Sequence, residues 1–308
     1  MKFVIAGAGA IGGYIGARLA KAGADVTFIA RGAHLAALRE NGLTIENPDQ
    51  GNLHLPAVRA TDDTRSIGVV DLVLIGVKLW AMDDALRAVR PLVGPDTAVL
   101  SLQNGVIKDD ILRREFGERS VIGGVGYVAS NIARPGVIHQ KGAIQRMVFG
   151  EYDGRRSPRT EALLAAALKG GIQAELSDDI RRAIWEKFVF LVGLSGTTAT
   201  MRATIGAIRV NPQTRAFLSE LMQETVRVGR AHGVALPEDY AAERLAFADT
   251  VPAGMASSLA HDLEQGNPLE VEWLSGGVVK LGAAVRVATP ANRAVWDILA
   301  LHAKGKQK

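Results

Sequence analysis

The chain has 308 residues, 48% of them hydrophobic and 22% charged, which excludes a disordered or fibrous protein. At roughly 150 residues per domain this length points to two domains, each able to bury a core unaided. The net charge of +4 is small and spread along the chain, so anionic small molecules are favoured over nucleic acid as ligands. No basic stripe interleaved with aromatic residues is present either. With no cysteine, disulfides, thiolate metal sites and a cysteine nucleophile are excluded. That composition fits a reducing compartment, and the cytoplasm is the expected location. The apolar run after Lys2 ends at glycines within about four residues, too short for a signal-peptide core. No stretch approaches the ~18 apolar residues of a membrane helix.

In chain order, Phe3–Ala6 reads as a strand and Ala10–Ala22 as a helix. Further strands are predicted at Val26–Ala30, Val70–Val77, Ala98–Leu102 and Ser120–Gly124. These runs are almost continuously apolar, as in strands covered on both faces. Their alternation with helical patterns predicts a doubly wound parallel sheet of the Rossmann type. Val137–Gln140 and Gln145–Gly150 read as two later strands that could run antiparallel. A helix-to-strand pattern closes this half at about Glu175.

From Asp178 the pattern becomes helical, with segments predicted at about 179–199, 211–233, 237–249, 252–265, 270–284 and 290–303. Asn211-Pro212 and Thr289-Pro290 place a capping residue before a proline, a helix-start signal. The reading is an α/β domain at 1–176 and an all-helical domain at 177–308. The terminal Lys304-Gly-Lys-Gln-Lys is expected to fray.

Gly7-Ala8-Gly9-Ala10-Ile11-Gly12 follows the first strand and opens the first helix. The first glycine permits a tight turn, the second lets the backbone approach a pyrophosphate, and the third lets helix and strand pack closely. The helix start offers N–H groups and a positive dipole end to phosphates. A dinucleotide site is therefore expected here, a glycine-rich turn without a ligand being the plainer alternative. At the end of the second strand an NAD enzyme usually carries a carboxylate for the ribose 2′-hydroxyl. This chain has Ala30-Arg31-Gly32 instead. A guanidinium can bind a 2′-phosphate, so Arg31 argues for NADP, unless it is merely a solvated arginine. Lys78 and Gln103-Asn104-Gly105 also fall at strand carboxyl ends, where ligands of open α/β sheets gather. Asn104 offers a donor and an acceptor there, although Asn-Gly is equally a plain turn.

In the helical half, Lys187 sits in the apolar Ile184–Val192 run. Burial would lower its pKa and make it a usable proton donor. A snorkelling lysine, or one paired with Glu186 or Glu264, is the alternative. Glu270 and Glu272 open a later helix, where carboxylates suit the dipole in any case. His261 reads as a surface or packing residue. No His, Asp or Glu cluster has metal-ligand spacing, and there is no nucleophile elbow or phosphate-binding P-loop.

Beyond the glycine motif, a set of segments occurs in a specific order. They are Ala30-Arg31-Gly32, Val77-Lys78, Leu102-Gln-Asn-Gly105, Trp185-Glu-Lys187, Ser257–Asp262 and Leu269–Gly276. In this set the chain resembles the ketopantoate reductase (2-dehydropantoate 2-reductase) family over essentially its whole length. The resemblance implies a Rossmann-type domain followed by a helical domain like the C-terminal domain of 6-phosphogluconate dehydrogenase. It implies NADPH-dependent reduction of 2-dehydropantoate to (R)-pantoate in pantothenate and coenzyme A biosynthesis. Lys187 resembles the general acid and Glu270 the carboxylate that orients the site and holds the substrate hydroxyl. Lys78 and Asn104 resemble residues that position substrate and nicotinamide ribose. Ser258 resembles a contact of the substrate carboxylate, and Arg31 the 2′-phosphate ligand.

The chain departs from the family pattern on the face that carries Lys187. Asparagines usually follow the lysine by one and two helical turns, and here Leu191 and Ser195 stand there. Met255 and Ala256 stand where a further asparagine usually precedes the serine. A lost buried hydrogen bond costs on the order of 1–3 kcal/mol. The alternatives are therefore a reductase of another 2-ketoacid or ketone, or a non-catalytic NADP(H)-binding regulator. An exposed face of the helical half could pair two chains as a homodimer.

Overall fold

A computed structural model describes residues 1–306. The described chain forms two compact units. Residues 1–103 and 108–180 make the first, and residues 104–107 join residue 181 onward in the second.

The first unit contains β1 (Lys2–Ala6), α1 (Ala10–Lys21), β2 (Asp25–Ile29), α2 (Gly32–Asn41), β3 (Leu43–Glu46), β4 (Leu53–Leu55) and β5 (Arg59–Thr61). It continues through β6 (Leu72–Ile75), α3 (Met82–Val89), β7 (Ala98–Ser101), α4 (Lys108–Phe116), β8 (Val121–Arg134), β9 (Val137–Gly150), α5 (Pro158–Lys169) and β10 (Gln173–Leu176). One sheet runs in the order β4-β3-β9-β8-β7-β6-β1-β2-β5, with β10 also on β9. The stretch β5-β2-β1-β6-β7-β8 is parallel throughout and has the dinucleotide-fold order 3-2-1-4-5-6. Period-2 alternation explains the continuous apolar runs. Phe3, Ile5, Leu72, Leu74, Leu100 and Ile122 enter one core. Val4, Ala6, Val73, Ile75, Val99 and Val121 enter another on the opposite face.

The predicted parallel sheet is thus one part of a mixed one. β8 does not stop at Gly124 but continues to Arg134 and pairs antiparallel with β9. The two strands expected at 137–150 are one strand, with register shifts in its pairing to β8. The short strands β3, β4 and β5, the last two at the edges of the sheet, had no apolar run to announce them.

The second unit holds α6 (Ile180–Met201, starting at the boundary), α7 (Ile205–Val210), α8 (Pro212–Ala231), α9 (Tyr240–Thr250), α10 (Ser258–Gln265), α11 (Ser275–Ala284) and α12 (Pro290–Leu299). Its core is built from residues such as Phe188, Val192, Leu221, Val271 and Val295. Asn211 caps α8 through the N–H groups of Gln213 and Thr214, as its place before Pro212 predicts. Thr289 makes no such bond. The buried Glu224 carboxylate caps α12 instead, accepting from the N–H groups of Ala291 (2.8 Å) and Asn292 (2.9 Å). The helix expected at 252–265 begins only at Ser258, where Ser257 accepts from Ala260 N–H. The helix expected at 270–284 is a 3-10 turn at Glu270–Glu272 followed by α11. The expectation of fraying fails for Lys304–Lys306. Leu269 N–H donates to the Ala303 carbonyl, and Lys306 N–H to that of Gly266. Gln307 and Lys308 lie outside the described residues. Among the described residues, no helix is long and apolar enough to cross a membrane.

Candidate active site

In the first unit, the turn from β1 to α1 forms the floor of a cleft of about 270 Å³. Its walls include Arg31, His34, Val77, Asp84 and Ile132. Gly7 has φ +98°, and a side chain there would collide with Val77. A Cβ on Gly12 would overlap the Gly7 carbonyl oxygen, and one on Gly76 would lie 2.8 Å from the Gly12 Cα. These glycines therefore let helix and strands meet. Gly9 differs: only Ile132 Cδ1, at 3.9 Å, would come near its Cβ, so the backbone there is bare toward the cleft. The N–H groups of Gly7 and Ala8 both donate to the Ile29 carbonyl, at 3.2 and 3.1 Å. The first turn of α1, at Ala10 and Ile11, lacks intrahelical acceptors and faces an incoming anion with the positive end of the dipole.

Arg31 precedes α2 with an exposed side chain, its Nη1 3.5 Å from Asp84 Oδ2. Asp84, on the first turn of α3, also pairs with Arg87. Lys78, half-buried, precedes the 3-10 turn Leu79–Ala81, between the lining residues Val77 and Ala81. Gln103 is buried. Its Oε1 accepts from Ser101 Oγ at 2.8 Å, whereas its Nε2 has no hydrogen-bond partner.

In the second unit, Lys187 and Asn104 meet although 83 positions apart. The lysine Nζ donates to Asn104 Oδ1 at 3.0 Å. Lys187 projects from α6, and Asn104 comes from the short segment that runs with the helices. Glu270 is buried, at 4% exposure, in its 3-10 turn. Ser258 is exposed at the first position of α10. Its neighbour Ser257 is the buried one, capping α10 and sharing a hydrogen bond with Thr198 Oγ1 at 2.8 Å. Further along α6, Leu191 packs against the core, and the Ser195 hydroxyl is buried with no hydrogen-bond partner. Among the described residues, no three His, Cys, Asp or Glu side chains gather as a metal site.

His34, Asp84 and Ile132 were not anticipated as parts of the site. His34 has a weak sequence signal, three residues after Arg31. The other two come from a helix and a hairpin that only the tertiary fold brings to the glycine turn.

Residues 3–154 match the family described as ketopantoate reductase PanE/ApbA, and residues 179–303 match its C-terminal domain. A 2-dehydropantoate 2-reductase of Mesorhizobium japonicum is 35% identical over 97% of both chains. The crystal structure of a 2-dehydropantoate 2-reductase from Geobacter metallireducens superposes with a TM-score of 0.90 at 32% identity. That match covers 98% of this chain and 99% of the other. A ketopantoate reductase from Staphylococcus aureus, described as dimeric, shares the fold at a TM-score of 0.81 and 21% identity. It covers 98% of this chain and 99% of its own. The chain belongs to the ketopantoate reductase family, and it is an oxidoreductase.

Proposed function

We propose that this chain reduces a 2-ketoacid with NADPH, and that 2-dehydropantoate is its substrate and (R)-pantoate its product. The reaction would serve pantothenate and coenzyme A biosynthesis. The observation that carries the reading is the Lys187–Asn104 hydrogen bond, which aims an ammonium group by means of an amide. Family resemblance gives that lysine the role of acid and the amide a role in positioning.

The α/β cleft fits a dinucleotide. Gly9 leaves bare backbone beside the start of α1, and Arg31 stands where an NAD-type site would carry a carboxylate. Gly7, Ala8, Gly9, Ala10, Ile11 and Gly12 would hold the pyrophosphate, and Arg31 the 2′-phosphate. Lys78, Asn104 and Glu270 would contact the nicotinamide ribose. When bound, NADPH supplies the hydride for the keto carbon.

The chain supplies position and charge. Negative charge grows on the carbonyl oxygen as the keto carbon is reduced. Lys187 Nζ stabilises that charge and gives it a proton. Asn104 Oδ1 restrains the ammonium group before transfer. Glu270, buried at 4% exposure, would take the substrate hydroxyl as a hydrogen-bond donor. Ser258, at the start of α10, would meet the substrate carboxylate.

The test is optical: NADPH oxidation by the purified protein with ketopantoate, beside an NADH control. Rapid oxidation with NADPH and little with NADH is expected. Lys187→Ala should lower turnover by about 10²–10⁴-fold with NADPH affinity almost unchanged; equal turnover would remove Lys187 from its role. A second reading rests on the α6 face, where Leu191 is apolar and Ser195 has a buried, unpartnered hydroxyl. That face suits a less polar 2-ketoacid, which a substrate panel ranked by kcat/KM would reveal. We also propose that two chains associate through the helical unit, to be checked by light scattering.

A further inference from the structure

His34 stands half-buried on the first turn of α2 and lines the cleft. Its Nε2 lies 2.8 Å from the carbonyl oxygen of Ala8, inside the glycine turn. Its Nδ1 lies 3.1 Å from the backbone nitrogen of Gly136 and accepts that N–H. A carbonyl can only accept and an N–H can only donate, so these partners assign the neutral Nε2–H tautomer.

Both bonds reach backbone that is otherwise held on its far side. The N–H groups of Gly7 and Ala8 are tied to Ile29, so His34 secures the same turn from the opposite direction through the Ala8 carbonyl. Gly13 leaves room for this carbonyl, since a Cβ there would lie 2.7 Å from it. Gly136 forms the tip of the β8–β9 hairpin with φ +77°, and its carbonyl accepts from Thr44 N–H at 3.0 Å. The same hairpin supplies Ile132, the side chain nearest to Gly9.

We propose that His34 is a positioning residue of the dinucleotide site. By joining the Ala8 carbonyl to the Gly136 N–H it fixes the glycine turn against the hairpin wall. The bare backbone at Gly9 and the first turn of α1 are thereby preset for a pyrophosphate, which lowers the ordering cost of binding. The inference rests on the nicotinamide-dinucleotide reading of the cleft.

The experiment is a titration of NADPH fluorescence with wild-type protein, His34→Leu and His34→Gln. A glutamine amide, like the neutral ring, offers one donor and one acceptor. His34→Leu should bind about tenfold more weakly than wild type, and His34→Gln within about threefold of it. Unchanged affinity in His34→Leu, or a loss in His34→Gln as large as that in His34→Leu, would overturn the proposal. If His34→Leu does not fold, His34→Gln alone decides it, and a loss well beyond about threefold overturns it. A wild-type protein that binds neither NADPH nor NADH overturns the cofactor reading and this inference with it.

Discussion

Arg31 and Asp84 place opposite charges in one cleft, and their balance would decide how the proposed 2′-phosphate is received. The pair is exposed and only loosely joined at 3.5 Å, so it adds little stability of its own. Its consequence lies in recognition. A phosphate arriving at Arg31 gains charge-assisted hydrogen bonds, while the Asp84 carboxylate, already engaged by Arg87, opposes it only weakly. Arg31→Ala should therefore weaken NADPH binding by about 10- to 100-fold and leave NADH almost unchanged. Paired titrations of the two nucleotides measure this, and equal losses for both would show that Arg31 does not meet the 2′-phosphate. Arg31 stands out in the sequence because its position is local, two residues after β2 ends at Ile29. Asp84 does not, since an acid in the first turn of a helix reads as an ordinary dipole partner. The two serines show the same limit. The sequence points to Ser258 by resemblance, but the cap geometry of α10 makes Ser257 the buried hydroxyl and leaves Ser258 exposed.

Helix α12 illustrates how an element can be foreseen while its support is not. Thr289-Pro290 predicts the start correctly, yet the groups that need acceptors are served by a carboxylate 67 positions away. Glu224 is 2% exposed and also accepts from the Asn292 side chain at 2.8 Å. Removing it strands two buried backbone donors and leaves the Asn292 amide only its 3.3 Å bond to the Leu221 carbonyl. Glu224→Leu should destabilise the helical unit by about 2–4 kcal/mol, and Glu224→Gln by less, because its amide oxygen still accepts. Urea unfolding followed by helix content would measure both; a fully stable Glu224→Leu protein would mean that solvent reaches these donors. The strands divide along similar lines. β1, β6 and β7 are buried on both faces and stand out as apolar runs, whereas β3, β4 and β5 are three or four residues long and mix polar with apolar residues. Past Gly124, β8 mixes apolar with polar residues, which hides a strand whose existence depends on β9.

At the scale of the molecule, the chain leaves the α/β unit after Gln103, contributes four residues to the helical unit, and returns at Lys108. This excursion carries Asn104 to Lys187, so the proposed acid and its restraint form within one unit, while the glycine turn, Arg31 and His34 form within the other. The division into an α/β and a helical part was legible from the change in pattern near Asp178. The excursion was not, because four residues between a strand and a helix read as a loop. Its thermodynamic consequence can be tested. Asn104–Ile107 belong to the helical unit, whereas the sheet and the glycine-turn cleft lie wholly within the α/β unit. The two units should then melt as separate transitions. A ligand bound only by the folded α/β unit stabilises that unit alone, by about 2.7 kcal/mol at a hundredfold excess over its dissociation constant. For a unit of this size that shifts its Tm by about 5–10 °C. Scanning calorimetry with and without adenosine 2′,5′-bisphosphate, a fragment lacking the nicotinamide ribose that Asn104 and Glu270 would contact, should show one transition moving and the other nearly still. A single transition that moves as a whole would mean instead that the excursion, or contacts formed on binding, make the two units one cooperative body.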